Sequence, residues 1–152
     1  MRIIMAEAGI EYPTNEKPNI NTPEKAALQA EKMAGEDQEC VAVLCLNAKN
    51  QMTVAEILTA GILDCSLVHP REVFRRAIAA NAAAIVLIHN HPSGDTTPSA
   101  EDIKITRRMI EAGKIVDVKV MDHVIVSRKA DGGLAWMSMR DAGLCDFVSP
   151  ST

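Results

Sequence analysis

Five consecutive apolar residues, Ala84 to Ile88, stand between two segments whose apolar residues recur at helical spacing. A run this short and uniformly apolar suits a strand rather than a helix, and it has no polar face to turn to water. It is expected to be a strand buried on both faces. The chain around it is therefore expected to build a sheet whose middle is covered by helices, and 152 residues allow one domain of this kind with a real core but no second full domain.

The flanking segments fit that plan. Thr22-Pro23-Glu24 pairs an N-cap with Pro at the first helical position, and the helix it opens is expected to stop at Gly35. Cys40 to Leu46 and Met52 to Ile62 read as two strands joined by a turn at Asn47 to Asn50. Pro70 begins a helix, with Val73, Phe74, Ala77 and Ile78 along one side, that ends near Asn81. After Ile88 comes a loop from His91 to Pro98, then a helix opened by Ser99 that runs to about Ala112 with Gly113 as its stop. Val118 to Val126 and Leu134 to Met137 read as further strands, and Arg2 to Ile10 as an edge strand followed by a loop from Pro13 to Pro23. Hairpins and crossovers alternate in this order, which predicts an α/β fold with a mixed sheet and helices packed on it.

Aromatic residues make up only 3% of the chain, so Ala, Ile, Val, Leu and Met must fill the core. The net charge is -4, and among the basic residues the pairs Arg75-Arg76 and Arg107-Arg108 both fall on predicted helices. That is a poor footprint for nucleic acid. The pairs read as solvated helix faces, with a docking patch for an acidic partner as the other reading. Cys40, Cys45, Cys65 and Cys145 show no CxxC spacing, which argues against a zinc ribbon or redox pair and for apolar fillers in a reducing compartment. The first residues lack the apolar run of a signal peptide, and no stretch approaches the roughly 18 apolar residues of a membrane span. A soluble cytoplasmic protein, without membrane partners, is the expectation.

The chemistry is concentrated in His89-Asn90-His91-Pro92-Ser93-Gly94-Asp95-Thr96-Thr97-Pro98-Ser99-Ala100-Glu101-Asp102. In extended chain, residues two apart project from one face about 7 Å apart, close enough for His89 and His91 to converge on one ion. The Gly- and Pro-containing loop offers a way to fold the chain back and bring Asp102 to them. Two imidazoles and one carboxylate suit zinc and leave a fourth position for water, which marks catalysis rather than a structural role. Each piece also has a plainer explanation. A histidine near a strand end is usually a hydrogen-bonded or exposed residue, and Ser99 with Asp102 fits a capping box at a helix start.

The combination of His-x-His, ten intervening residues and Asp, with Ser99 three residues before Asp102, resembles the signature of the JAB/MPN (JAMM) metalloproteins. HNHPSGDTTPSAEDIKITRRMIEAGK, with VHPREVFRRAI before it and MDHVIV after it, is similar to the RadC group of that family, and the resemblance covers roughly Pro23 to Leu144. It implies the MPN fold, a mixed sheet flanked by helices in a cytidine-deaminase-like layering. It also divides the chain into an N-terminal strand and loop at 1–21, the domain at 22–146 and a tail at 147–152. It further implies a Zn2+ site held by His89, His91 and Asp102, of peptidase or isopeptidase type, whose partner is a peptide or an isopeptide-linked protein. Full-length relatives carry an N-terminal helix-hairpin-helix region, a DNA-binding type of module, whose pattern is not found here. DNA is accordingly the weaker candidate partner.

The same resemblance supplies the remaining roles. Metal-assisted hydrolysis needs a carboxylate near the metal, but not on it, to move a proton. JAMM enzymes place that Glu just before the first long apolar strand, which is Glu39 here, with Glu36 and Glu56 as runners-up. Ser99 matches the residue that donates a hydrogen bond to the developing oxyanion. His69 and His123 read as structural, with Asp122-His123 a candidate partner for a ligand imidazole, and Ser93 and Asp95 as residues that orient the loop.

Two other functions compete with hydrolysis. The letters His-Asn-His invite comparison with HNH nucleases, but there the three residues are dispersed over a ββα-metal unit, so their adjacency is coincidental, and the acidic charge balance opposes DNA binding. The other is a non-catalytic MPN interaction module, which the filled ligand positions disfavour; a DNA-repair-associated RadC-like protein is a further alternative, weakened by the missing helix-hairpin-helix pattern.

Overall fold

The structure is a computed structural model describing residues 10–11, 17–62 and 68–147, and it places Ala84–Asn90 inside a six-stranded sheet with all seven residues buried. In chain order the elements are β1 (Ile10–Glu11), α1 (Pro23–Gln29), α2 (Glu31–Ala34), β2 (Glu39–Leu46), β3 (Met52–Ile62), α3 (Pro70–Ala79), β4 (Ala84–Asn90), α4 (Ala100–Val116), β5 (Lys119–Arg128) and β6 (Leu134–Ser138). The strand order is β1-β3-β2-β4-β5-β6. All neighbours are antiparallel except β4 and β5, which run parallel. A parallel pair needs a crossover, and α4 supplies it.

Strand alternation divides the core into two layers. On one face Val86 and Ile88 of β4 pack with Ala42, Leu44, Val124 and Val126 beneath Ala26, Ala27, Ala30 and Met33 of the α1–α2 segment. On the other, Ile85 and Leu87 pack with Val41, Val43 and Val120 beneath Val73, Phe74 and Ala77 of α3 and Ile105, Met109 and Ile110 of α4. Helices thus cover both faces, as the apolar run at 84–88 required, and the core is aliphatic apart from Phe74.

Several boundaries differ from the sequence expectation. The first helix breaks at Ala30, where no Gly or Pro marks it. Short bonds from Ala30 N–H to the Ala27 carbonyl and from Met33 N–H to the Ala30 carbonyl turn the chain there, with Ala30 and Met33 both fully buried. Gly113 does not stop α4, which continues to Val116 and ends at Asp117 in the left-handed region (φ 60°). Gly113 is instead a point of close approach, because a Cβ there would collide with the Val118 carbonyl oxygen. The central strand extends past Ile88 to Asn90, and β5 runs from Lys119 to Arg128 rather than from Val118 to Val126.

Of the edge strand expected at Arg2 to Ile10, only Ile10 lies within the described residues; with Glu11 it forms the edge strand β1. Cys65 also lies outside them. Cys45 and Cys145 are free thiols, and burial, with the charge of Glu56 adding to it, pushes the Cys45 thiol up to about 12, which keeps it inert. Arg75, Arg107 and Arg108 are exposed, whereas Arg76 lies 2.9 Å from Glu56. Among the described residues no helix is long and apolar enough to cross a membrane.

Candidate metal centre

The C-terminal end of β4 carries His89 and, one residue past the strand, His91, on the face covered by α4. Their rings meet edge to face with centroids 4.7 Å apart. His91 is held as though the strand continued: its N–H donates to the Val126 carbonyl at 2.9 Å and Ser127 Oγ donates to its carbonyl at 2.5 Å. The loop then turns at Gly94 (φ 92°), a conformation that favours glycine. Within it Asp95 N–H donates to Ser93 Oγ at 3.3 Å and Thr97 N–H donates to Asp95 Oδ1 at 2.9 Å, so Ser93 and Asp95 do order the loop. That geometry aims the Asp95 carbonyl at His91 Nδ1, 2.8 Å away. Nδ1–H therefore donates, and Nε2 is left to face the site.

Asp102, in the first turn of α4, brings one carboxylate oxygen to each imidazole. Oδ1 lies 3.2 Å from His89 Nδ1 and Oδ2 lies 3.1 Å from His91 Nε2. From the other side Glu39 Oε1 lies 3.2 Å from His89 Nε2, and ligand atoms of Glu39, His89 and His91 fall within 4.8 Å of one another. Glu39 thus lies as close to His89 as Asp102 does, at the other ring nitrogen. Of the runners-up, Glu56 is drawn to Arg76 and Glu36 is exposed in the turn before β2.

The donor set fits a divalent cation. A neutral imidazole carries one N–H, yet both ring nitrogens of His89 face carboxylates, and Nε2 of His91 faces Asp102 while its Nδ1–H is given to the Asp95 carbonyl. Among the described residues buried His89 Nδ1 and Glu39 Oε2 have no hydrogen-bond partner, His89 Nδ1 being near Asp102 but out of alignment for a bond. A cation held among Glu39, His89 and His91 would take up lone pairs on one side of His89, while Asp102 lies at its other ring nitrogen. Burial pulls the His91 imidazolium downward, but its hydrogen bonds to Asp102 and the Asp95 carbonyl, with the charges of Asp102 and Glu39, prevail and raise its pKa above the ordinary value.

Ser99 caps α4, its Oγ accepting the Asp102 N–H at 3.0 Å. That contact uses an oxygen lone pair and leaves the hydroxyl proton available to donate. The expectation that Asp122 and His123 would partner a ligand imidazole is not met. Asp122 accepts from Ser138 Oγ at 2.5 Å and from Arg140 N–H at 3.0 Å, fastening β5 to the end of β6. His123 is fully buried, its Nδ1 2.6 Å from Thr106 Oγ1, its Nε2 without a hydrogen-bond partner among the described residues and its ring centroid 6.0 Å from that of His89. His69 precedes α3 as its N-cap residue, with no side-chain capping bond. Asn90, Thr106 and Ser127 are buried polar residues in or beside the site that sequence reasoning missed; for Asn90, strand alternation between two inward histidines was the available clue.

The sequence pattern of the RadC-like JAB domain matches residues 20–144. The chain belongs to the RadC-like JAB domain family. A UPF0758 protein of Desulforudis audaxviator is 49% identical over 115 residues, covering 75% of this chain and 50% of the relative. UPF0758 proteins of Caldanaerobacter subterraneus and Roseiflexus castenholzii are 44% and 43% identical, covering 85% and 89% of this chain and 54% and 56% of theirs. The RadC-like chain thus spans about half the length of the curated relatives it matches. Its mixed sheet flanked by helices is consistent with the JAB/MPN fold.

Proposed function

We propose that this RadC-like domain is a zinc-dependent hydrolase of amide bonds, in a peptide or an isopeptide-linked protein, with His89, His91 and Asp102 holding the metal. The observation that carries the reading is the grouping of ligand atoms of Glu39, His89 and His91 within 4.8 Å of one another, with Asp102 reaching both imidazoles at 3.1–3.2 Å. Bound there, zinc supplies Lewis acidity that sharpens a water's acidity and polarises a carbonyl. Glu39 Oε1 takes a proton from the attacking water and returns it to the leaving amine, a role that its contact with His89 and its partial exposure support. Ser99, an exposed residue at the start of α4, directs its hydroxyl proton to the oxygen that gains negative charge. Asp95, through its carbonyl, keeps His91 in the tautomer that presents Nε2.

Metal analysis of the purified protein, followed by a screen of peptide and isopeptide substrates with and without chelator, tests the proposal. Stoichiometric zinc and chelator-sensitive cleavage are expected. Zinc without turnover on any such bond would leave a non-catalytic metalloprotein, and absence of metal affinity would remove the site altogether.

A further inference from the structure

Asn90 stands between the two histidines, and the alternation of β4 turns it to the opposite face of the sheet from them. It is fully buried. Its Oδ1 accepts the Cys40 N–H at 2.5 Å, while its Nδ2 donates to the Gln38 carbonyl at 3.0 Å and to the Met33 carbonyl at 2.9 Å. Both donor hydrogens and the acceptor oxygen of the amide are engaged. The Gln38 carbonyl and the Cys40 N–H belong to the two peptide units on either side of Glu39. One side chain therefore holds the backbone both before and after that residue.

The pairing of β2 with β3 includes Glu39–Ile62 and Cys40–Ala60, but it leaves the start of β2 unfastened to β4. The ladder between β2 and β4 starts at the pair Val41–His89, and the pairing of β2 with β3 shifts register between Glu39 and Cys40. The Asn90 amide takes the place of a ladder bond one residue beyond the ladder's end. We propose that Asn90 is the positioning residue for Glu39, locking the start of β2 to the histidine-bearing strand so that the Glu39 carboxylate meets His89. The motif strand then does two things at once: its odd positions face the metal centre and its even position fixes the carboxylate that works beside it. The functional weight of this rests on the role of Glu39 proposed above; the positioning itself does not. Aspartate cannot replace Asn90, since it would turn unprotonated oxygens toward two carbonyls.

The test uses the full chain, metal-free and labelled with 15N-histidine, comparing wild type, Glu39→Gln and Asn90→Asp by side-chain NMR. Asn90→Asp is expected to move the His89 Nε2 resonance in the direction that Glu39→Gln moves it, while His91, which is hydrogen-bonded to the Asp95 carbonyl and Asp102 and feels Glu39 only through its charge, moves less. A folded Asn90→Asp protein with an unmoved His89 resonance would overturn the proposal, as would equal displacement of His91. Should Asn90→Asp not fold, hydrogen exchange in the wild type decides: the Cys40 amide is expected to exchange more than about 100-fold slower than an open amide, and an unprotected Cys40 amide refutes the clamp. If Glu39→Gln instead leaves hydrolysis intact, the assignment of the base fails, and the histidine spectra still report whether Asn90 sets its place.

Discussion

Ser99 and Asp102 hold one another at the start of α4: Ser99 Oγ accepts the Asp102 N–H at 3.0 Å, and Asp102 Oδ2 accepts the Ser99 N–H at 2.8 Å. The same Oδ2 lies 3.1 Å from His91 Nε2. The capping box that starts the helix therefore also fixes the rotamer of the carboxylate facing the histidines. Capping and metal binding, which are alternative explanations of Ser-x-x-Asp in a sequence, here share one geometry.

That sharing makes the Ser99 variants informative. Capping alone predicts that Ser99→Ala costs about 0.5–2 kcal/mol of stability and that Ser99→Asp, an equally good N-cap, restores it. An oxyanion role predicts that both lose about 10²-fold or more in turnover, because Ala has no donor and ionised Asp repels the developing charge. The expected result is a Ser99→Asp protein with a near-normal melting curve, bound zinc and poor turnover. Near-normal turnover in that variant would leave Ser99 as a cap only.

For the metal, about one zinc per chain is expected by elemental analysis, and none in a His89→Ala/His91→Ala double variant. Stoichiometric zinc retained by that variant would place the site elsewhere. Because the His91 pKa is raised, protons compete with the metal from somewhat above the ordinary histidine value near 6.5. Zinc affinity should therefore fall as pH is lowered through that point, and titrations at pH 8, 7 and 6 measure it. Without metal the raised pKa has the opposite consequence, favouring the folded state at low pH and losing that contribution as pH rises through the folded-state value.

Glu39→Gln is expected to keep fold and zinc and to lose about 10²–10⁴-fold in turnover, the usual contribution of a general base. Loss of zinc as well would make Glu39 a ligand, a result its 3.2 Å contact with His89 renders worth measuring. Glu36→Gln and Glu56→Gln serve as comparisons. The former removes an exposed carboxylate, and the latter breaks a partly exposed pair with Arg76 worth roughly 0–1 kcal/mol, so neither should alter turnover.

What could be read from the sequence follows from how local the determining physics is. Ala84 to Ile88 announces a two-sided strand because each of its side chains is apolar, and Pro23 and Pro70 announce helix starts because proline is tolerated there. His89, His91 and Asp102 are legible as a group through a loop of short range, whereas Glu39, fifty residues from His89 in the chain, is reached only by resemblance to a family. The break at Ala30 and the passage of α4 through Gly113 leave no local mark, since packing against the sheet decides both. Asn90 shows the same limit: its partners Met33, Gln38 and Cys40 are backbone groups, and backbone groups carry no residue identity for a sequence to reveal.

His123 gives the remaining prediction, on acid stability. Burial, reinforced by the neighbouring His89, depresses its pKa to about 3, against about 6.5 in an unfolded chain. Between those values the unfolded chain binds a proton that the folded protein does not, so the stability contributed by keeping His123 neutral is fully present above about pH 6.5 and drains away as pH falls toward 3. His123→Phe removes the titrating group and leaves Thr106 Oγ1 its bond to the Asp102 carbonyl at 2.6 Å. The variant should be the less stable protein at neutral pH, but the difference from wild type should shrink by about a factor of ten in the unfolding constant per pH unit below 6, the slope of one proton. His91 and the carboxylates titrate in both proteins and largely cancel in the comparison. Urea unfolding of the two metal-free proteins between pH 7 and pH 4.5 measures it, and parallel stability curves would mean that His123 takes up its proton without unfolding.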